Sequence, residues 1–118
     1  MNILVKVMKA LSDKNRIIIL KMLQKRTDLC VCEIQACLNI SQSTVSKHLK
    51  ILENAGLVKY QKNGLWVNYS LTDGYESPYA ATLLGNLKHW LENDNEIINL
   101  TQKLTNINRE TICNQHTT

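Results

Sequence analysis

The sequence predicts a mainly α-helical domain with one small β-hairpin, the arrangement of a winged helix-turn-helix. Two short helical patterns meet at residues 39–41, and the second pattern exposes a row of polar hydrogen-bond donors. Two apolar segments follow at residues 57–61 and 65–71. They are joined by residues 62–64, which contain Asn-Gly, the strongest short hairpin signal. A hairpin directly after a helix-turn-helix is a wing.

The bulk composition is that of one domain without a membrane span. The chain has 118 residues, 44% of them apolar, and no stretch approaches the roughly 18 consecutive apolar residues of a transmembrane helix. The apolar run at residues 3–5 is broken at once by Lys6, which argues against a signal peptide and predicts a cytoplasmic protein. The net charge of +4 favours a nucleic-acid partner only weakly, since the placement of the charges matters more.

Two helices are expected in the first quarter of the chain. Apolar residues on one face predict a first helix over residues 3–11. Residues 12–13 offer an N-cap for a second, densely apolar helix that runs to about Arg26 and is the expected core helix. Residues 27–28 end that helix and can cap a third, over about residues 30–38.

The fourth helix is the expected recognition helix. Asn39 tolerates the left-handed conformation of a tight turn, and Ser41 is a suitable N-cap. Gly56 is the residue expected to close the helix. The buried stripe is expected to contain four apolar residues: Val45, Leu49, Ile51 and Leu52.

One or two further helices are expected after the wing. Residues 73–78 predict a loop, and apolar residues then predict a helix that runs to at least Leu91. A weaker helical pattern over residues 97–107 precedes a polar tail. We therefore divide the chain into a DNA-binding and dimerisation domain, residues 1–108, and a polar tail, residues 109–118.

The exposed face of the fourth helix has the side chains that bind DNA. Gln, Ser and Thr pair with base edges, while Lys and His neutralise phosphates. A recognition helix contacts bases mainly through its N-terminal turns, so we assign base contacts to Gln42, Ser43 and Thr44. The alternative is a solvated helix face, which the hairpin behind it disfavours. The whole predicted DNA-binding set is Gln42, Ser43, Thr44, Ser46, Lys47, His48, Lys50, Lys59, Lys62 and Asn63.

Cys30 and Cys32 form a thiol pair at the predicted start of the third helix. Thiolate is a soft ligand and suits arsenite, antimonite, lead, cadmium or zinc. In an intact helix, residues two apart point about 200° away from each other, since each step turns about 100°. One ion can therefore hold both sulfurs only if the first turn unwinds or already lies outside the helix. Distortion there would disturb the recognition helix that follows.

The third sulfur of such a site stays open. Cys113, in the polar tail, can fold back onto Cys30 and Cys32, within a protomer or across a dimer, or it is a bystander thiol. Cys37 is seven residues beyond Cys30, about 10.5 Å along a helix axis, and lies on the apolar stripe. We interpret it as a core residue and a less favoured ligand.

Three segments carry a family pattern. They are LSDKNRIIIL at residues 11–20, LCVCEI at residues 29–34 and ISQSTVSKHLKILENAGLV at residues 40–58. Together they resemble the ArsR/SmtB family of bacterial and archaeal metal-responsive repressors, with likeness from about residue 4 to residue 92. The resemblance implies a winged helix-turn-helix homodimer, held by its first and its penultimate or last helices. It also implies a double-stranded operator of two-fold symmetry, released when an effector binds.

The resemblance also ranks the effectors. The arsenite-sensing subgroup with a Cys-Val-Cys motif often carries another cysteine where this chain has Gln35. Cadmium and lead sensors of the family add cysteines from an N-terminal extension, which this chain is expected to lack. The family's interfacial zinc site is incomplete here: Asp73, His89 and Glu92 are present, but Tyr75 and Asn86 offer no imidazole. As(III) or Sb(III), satisfied by three or two thiolates, is the expected effector, with no organic cofactor.

Other functions stay open beside this one. A redox-responsive repressor would switch through a Cys30–Cys32 or Cys30–Cys113 disulfide. The same fold could respond to cadmium, lead or zinc, or bind DNA constitutively with inert cysteines. A thiol enzyme is the weakest alternative, because the sequence has no glycine-rich loop to cradle a phosphate. We therefore expect a DNA-binding regulator and not an enzyme.

Overall fold

The helices and strands follow the predicted order. A computed structural model describes residues 1–107, so Cys113 and the predicted tail lie outside the described residues. The elements are α1 (Asn2–Ala10), α2 (Lys14–Lys25), α3 (Val31–Leu38), α4 (Gln42–Asn54), β1 (Val58–Asn63), β2 (Trp66–Leu71), α5 (Pro78–Leu87) and α6 (Asn95–Thr105). Within residues 1–107, six helices with an antiparallel hairpin directly after α4 confirm the predicted winged helix-turn-helix. No helix in this described part of the chain is long and apolar enough to cross a membrane.

Helix α2 is the central helix, as its apolar sequence predicted. Residues 18–23 are all buried, and α2 contacts α4, α6 and β2. Asp13 caps it, since its carboxylate accepts the backbone N–H groups of Asn15 and Arg16 at 2.8 and 3.2 Å. Recognition helix and wing are therefore both packed on the same buried helix.

The turn between α3 and α4 has the chemistry that the sequence predicted. Asn39 ends α3 in the left-handed region, with φ 56° and ψ 46°. Ser41 then caps α4, accepting the backbone N–H of Thr44 at 3.2 Å. These two residues set the direction in which the recognition helix leaves α3.

The predicted buried stripe of α4 was wrong at one position. Val45, Leu49 and Leu52 are fully buried, but Ile51 is 40% exposed. Ile51 is two residues beyond Leu49 and so is turned about 200° from it around the helix axis. It lies near α1, lining an open groove that also contains Val5 and Arg16.

The predicted hairpin is confirmed, but its loop begins two residues later than predicted and ends one residue later. The two strands pair from Val58 opposite Leu71 to Asn63 opposite Trp66. Asn63 is therefore the last residue of β1, and the loop consists of residues 64–65. Gly64 has φ 60°, the positive value that the first position of a type II′ turn requires.

Helix α5 is shorter than predicted at its C-terminus and longer at its N-terminus. It ends at Leu87, not at or beyond Leu91, which has a left-handed φ of 62°. The Leu87 carbonyl accepts the backbone N–H of Trp90 at 3.1 Å, in a tighter i to i+3 turn, and also the ammonium group of Lys21, on α2, at 2.9 Å. At the other end Pro78 belongs to the helix and not to the loop, because Ser77 provides the N-cap.

Lys21 is a buried cation that joins α2 to the segment after α5. Its side chain is 1% exposed, and its ammonium lies 2.7 Å from the Gln24 side-chain oxygen and 3.5 Å from the Glu92 carboxylate. Burial lowers the pKa of Lys21, and Glu92 opposes this shift. The hydrogen bond from Lys25 is the main cause of the lowered pKa of Glu92.

Replacing Lys21 with Ala is expected to lower the free energy of unfolding by about 2–4 kcal/mol, because it removes a buried stem and the hydrogen bond to Leu87. Lys25→Ala is the matched control, since Lys25 binds the same Glu92 carboxylate from a side chain that is 33% exposed. A loss below about 1 kcal/mol is expected for it. Urea denaturation followed by circular dichroism measures both, and equal losses would contradict the assigned role of burial.

Candidate nucleic-acid interface and thiol site

The predicted DNA-binding residues all lie on solvent-accessible faces of α4 and β1. Thr44 and His48 are half-buried. The exposed members on α4 are Gln42, Ser43, Ser46, Lys47 and Lys50, and those on β1 are Lys59, Lys62 and Asn63. The structure thus presents one helix face and one wing strand with several cations, as a duplex-binding surface requires.

Some of these side chains already have partners within the chain. The Ser41 hydroxyl lies 2.7 Å from the Thr44 hydroxyl and 3.2 Å from that of Ser43, so all three belong to the helix cap. Lys50 is 3.5 Å from the Glu53 carboxylate, which offsets part of its charge. Among the three residues assigned to base contacts, Gln42 is therefore the strongest candidate.

Cys30 lies just outside α3 and Cys32 lies in its first turn. Cys30 is the N-cap residue, with an extended backbone at φ −91° and ψ 166°. It is 4% exposed, whereas Cys32 is half-buried. One of the two sulfurs is thus carried by non-helical backbone, while the other belongs to the first turn of α3, so the second of the two geometric conditions is met by Cys30 alone.

Glu33 holds Cys30 at the cap, a role that we did not predict. Its carboxylate accepts the Cys30 backbone N–H at 3.0 Å, and the contact of the Cys30 side chain with the Glu33 N–H completes a capping box. The predicted cap from Thr27 or Asp28 was wrong, since Asp28 turns the chain with φ 61°. The Cys30-x-x-Glu33 spacing was the available signal, obscured because capping boxes usually begin with Ser or Thr.

Arg26 links this cap to the end of α6. It donates to Glu33, which is fully buried, at 2.8 Å. Its other terminal nitrogen donates to the carbonyls of Leu104 and Ile107 at 3.1 and 3.4 Å. The side chain of Arg26 therefore connects Ile107, the last described residue, to the Glu33 carboxylate that accepts the Cys30 N–H.

Leu29 links the thiol pair to the wing, also without a sequence signal. Its N–H donates to the Tyr69 carbonyl at 3.1 Å, and the Tyr69 N–H donates back at 2.8 Å. This pair is an antiparallel bridge that adds one residue to the edge of β2. The Tyr69 ring lies 5.8 Å from that of Tyr60 on β1. The residue before Cys30 is consequently hydrogen-bonded to the strand pair that forms the wing.

Cys37 is a core thiol, in agreement with its predicted place on the apolar stripe. It is 2% exposed, and its thiol donates to the Leu100 carbonyl at 3.4 Å. Burial raises its pKa, although Lys103 acts in the opposite direction. Among residues 1–107, no three His, Cys, Asp or Glu side chains are grouped so that they could hold a metal ion.

The remnants of the interfacial zinc site have other partners. The Glu92 carboxylate is 2.8 Å from the ammonium of Lys25, and Asp73 accepts the backbone N–H of Tyr75 at 3.1 Å. His89 lies exposed beyond the end of α5. This arrangement disfavours zinc binding by these residues.

Comparison with known proteins gives matches among regulators. The family model described as "Bacterial regulatory protein, arsR family" matches residues 13–60. A cadmium resistance transcriptional regulatory protein CadC homolog of Staphylococcus aureus is 46% identical over 68 residues, 58% of this chain and 56% of that protein. An uncharacterized HTH-type transcriptional regulator of Methanocaldococcus jannaschii is 43% identical over 67 residues, 57% of this chain and 75% of that protein. The arsenical resistance operon repressor of Escherichia coli is 37% identical over 68 residues, 58% of each chain.

Solved structures agree with these matches. HlyU from Vibrio cholerae superimposes with a TM-score of 0.60 and 33% identity, covering 76% of this chain and 91% of that chain. Reduced HlyU from the same organism gives a TM-score of 0.59 at 33% identity, covering 72% and 84%. The match spans just over half the length of the curated cadmium and arsenical regulators.

Iodoacetamide at about pH 8 is expected to modify Cys32 at least tenfold faster than Cys37, because Cys32 is half-buried while Cys37 is buried and has a raised pKa. A raised pKa leaves a smaller thiolate fraction at a given pH, so the Cys37 rate should keep increasing beyond the pH at which an ordinary thiol is fully ionised. Peptide mass spectrometry measures both rates, with urea-unfolded protein as the control. Equal rates in the native protein would contradict the assignment of Cys37 to the core.

Proposed function

The chain belongs to the ArsR family of bacterial regulatory proteins, and on that premise we propose that it is a metalloid-responsive transcriptional repressor. Its dimer binds an operator of two-fold symmetry and releases it when As(III) or Sb(III) binds Cys30 and Cys32. The observation that carries the proposal is the place of Cys30. It caps the helix before the recognition helix, and the residue before it is hydrogen-bonded to the wing.

The DNA-binding half of the proposal rests on the faces of α4 and β1. Gln42 is exposed at the start of α4, where a recognition helix meets base edges. Lys47, Lys59 and Lys62 are exposed on the same helix and the adjoining strand, and suit phosphate contacts. These three lysines would place part of the chain's net charge of +4 at the DNA-binding surface. Binding to chromosomal DNA would take place in the cytoplasm.

The dimer is supported by the apolar surface of α1. Val7 and Ala10 are the buried residues of this nine-residue helix. Ile3, Val5 and Met8 are 56%, 41% and 51% exposed. Val5 and Met8 are three positions apart and share one face of α1, whereas Ile3 is turned about 140–160° away from both. Exposed apolar side chains grouped on one helix face are typical of a protein–protein interface. A two-fold dimer would also place two recognition helices on successive half-sites of the operator.

The third thiolate of the proposed effector site is Cys113. Arg26 places Ile107 close to Glu33 and hence to the cap at Cys30. Cys113 is six positions beyond Ile107, and an extended chain of six steps spans about 20 Å. Cys113 of the same protomer is therefore within reach of the thiol pair, whereas Cys37 is committed to the core.

The proposed release of DNA follows from the hydrogen bonds around Cys30. Moving Cys30 off the cap to share an ion with Cys32 would break its bond to Glu33 and displace Leu29, which makes two bonds to Tyr69. Each such bond is worth about 1 kcal/mol. A hundredfold loss of operator affinity needs only about 2.7 kcal/mol of differential binding, so this set of bonds is of sufficient size.

Trivalent arsenic or antimony is preferred over cadmium because the sulfur set is small. The relatives include proteins named for cadmium and for arsenical resistance. Two or three thiolates satisfy a trivalent metalloid. The other candidate ligands have different surroundings: Glu92 is paired with Lys25 and Asp73 accepts a backbone N–H, while His89 is exposed beyond the end of α5. A redox switch through the same thiols is the second candidate, favoured by the proximity of Cys30 and Cys32 in the sequence.

Gln42→Ala is expected to weaken binding to a duplex selected from random sequences by about 1–3 kcal/mol, without changing binding to unselected DNA, because base contacts specify sequence. Lys62→Ala should weaken both equally and reduce the slope of log affinity against log salt by about one per protomer. Fluorescence anisotropy at several salt concentrations measures both. Lys88→Ala, at an exposed position that ends α5, is the matched control and should change neither quantity.

Cys30→Ser and Cys32→Ser are expected to bind the selected duplex with near wild-type affinity but to raise the As(III) concentration needed for release at least about 30-fold. Serine is itself a good N-cap, so the fold around position 30 should persist. Cys37→Ala should respond as wild type, and Cys113→Ser should show an intermediate shift. Titration of the protein–DNA complex with As(III), Sb(III), Cd(II), Pb(II) and Zn(II) measures all of these.

Two outcomes would contradict the proposed metalloid switch when the thiol oxidant diamide is added to the same set of titrants. Release by diamide without any response to As(III) would favour the disulfide switch, and a full response in Cys30→Ser would refute the thiol site.

Amide hydrogen exchange tests separately whether As(III) acts through the hydrogen bonds between Leu29 and Tyr69. Exchange at Leu29 and Tyr69 should accelerate when As(III) is added, while the central amides of α2 stay protected.

A further inference from the structure

We propose that Arg16 is a positioning residue that fixes the tautomer of His48, so that His48 presents its Nε2–H to the DNA backbone. Arg16 lies on α2 and His48 on the recognition helix α4. Because it concerns how a DNA contact is prepared, this inference rests on the proposed binding to DNA. It assigns a role to a residue outside the predicted DNA-binding set.

The guanidinium of Arg16 is held by the end of α1. Its Nε donates to the Ala10 carbonyl at 2.8 Å and its Nη2 donates to the Lys9 carbonyl at 3.1 Å. The Asp13 carboxylate lies 3.9 Å away, and the Arg16 side chain is only 14% exposed. The position of the guanidinium is thus determined by the backbone of α1, independently of α4.

The remaining nitrogen of the guanidinium faces His48. Arg16 Nη1 lies 3.3 Å from His48 Nδ1. Arginine has donors and no acceptor, so Nδ1 must be the acceptor in this contact. A ring that accepts at Nδ1 carries its single proton on Nε2, at the opposite edge. The backbone of α1, acting through Arg16, therefore selects the tautomer and the direction of the ring.

The contact also changes the role expected of His48. The sequence alone suggested a histidine that neutralises a phosphate with its charge. With Nδ1 accepting from Arg16, the ring offers a single, directed N–H donor at Nε2 from a half-buried position. The neighbouring Lys47 is exposed and supplies the charge, so the two residues have different tasks at the same turn of α4.

A double-mutant cycle tests this coupling on the selected duplex. His48→Ala is expected to weaken binding about fivefold, the loss of one ordinary hydrogen bond. Arg16→Met should weaken it about two- to fivefold, because only part of the His48 rings then carry the Nε2–H, and the double variant should be no weaker than His48→Ala. The salt slope of Arg16→Met should equal that of the wild type, because Arg16 touches no phosphate. Lys14→Met is the matched control on α2, since Lys14 makes an exposed ion pair with Glu96; it should bind as the wild type does.

The tautomer is read directly in the free protein. The ¹⁵N shifts of the His48 ring, assigned with His48→Ala, should show the Nε2–H form in the wild type and a mixture in Arg16→Met. Thermal melts establish that each variant is folded at the assay temperature. If Arg16→Met is not folded, Arg16→Lys replaces it, since one ammonium cannot bind two α1 carbonyls and His48 as the planar guanidinium does.

Three results would overturn the inference: additive losses in the cycle, an Nδ1–H tautomer in the wild type, or a salt slope reduced by about one per protomer in Arg16→Met. The last would make Arg16 a direct phosphate ligand. If the wild-type protein selected no duplex from random sequences, the proposed repressor function would fail together with this inference. Additive losses in a wild type that does bind would refute the role of Arg16 alone.

Discussion

The fully buried carboxylate of Glu33 is the group on which the rest of the structure depends. It accepts the N–H of Cys30 and binds Arg26, whose second nitrogen holds the carbonyls at the end of α6. One side chain on α3 thus joins the end of α2, the end of α6 and the cap that carries a thiol. A buried charge of this kind is tolerated only when its hydrogen bonds are satisfied. The geometry that satisfies Glu33 is the same geometry that positions Cys30.

The sequence predicted those parts of the fold that depend on neighbours along the chain. Apolar periodicity located the helices, and Asn39, Ser41 and the Asn-Gly pair located the turns, because capping and turn conformations are decided within a few residues. The end of α5 was wrong for the opposite reason. That end is stabilised by Lys21, which binds the Leu87 carbonyl from a position 66 residues earlier in the chain. A lysine in an apolar helical pattern gives no indication that it will be buried against the carbonyl of a distant helix.

The candidate site divides in the same way. The exposed face of α4 follows from helical periodicity alone, so its DNA-binding set could be proposed without coordinates. The supporting contacts could not: Leu29 is a single bridging residue with no strand pattern, and Arg16 reaches His48 across 32 positions. Glu33 had a signal in its spacing from Cys30, but a cysteine at the cap concealed it. Residues that present a surface are thus more predictable than those that hold it in place.

The unequal exposure of Cys30 and Cys32 has a consequence for the timing of a response. Cys32 is accessible to an incoming ion in the folded state, whereas Cys30 is 4% exposed and becomes accessible only when its cap opens. Capture would then occur in two stages, with a fast first encounter and a slower step governed by the protein's own opening rate. At high ion concentration the rate of operator release would level off at that opening rate. Under the proposed function, the Glu33 bond would set how quickly the protein responds to an ion as well as how tightly it binds that ion.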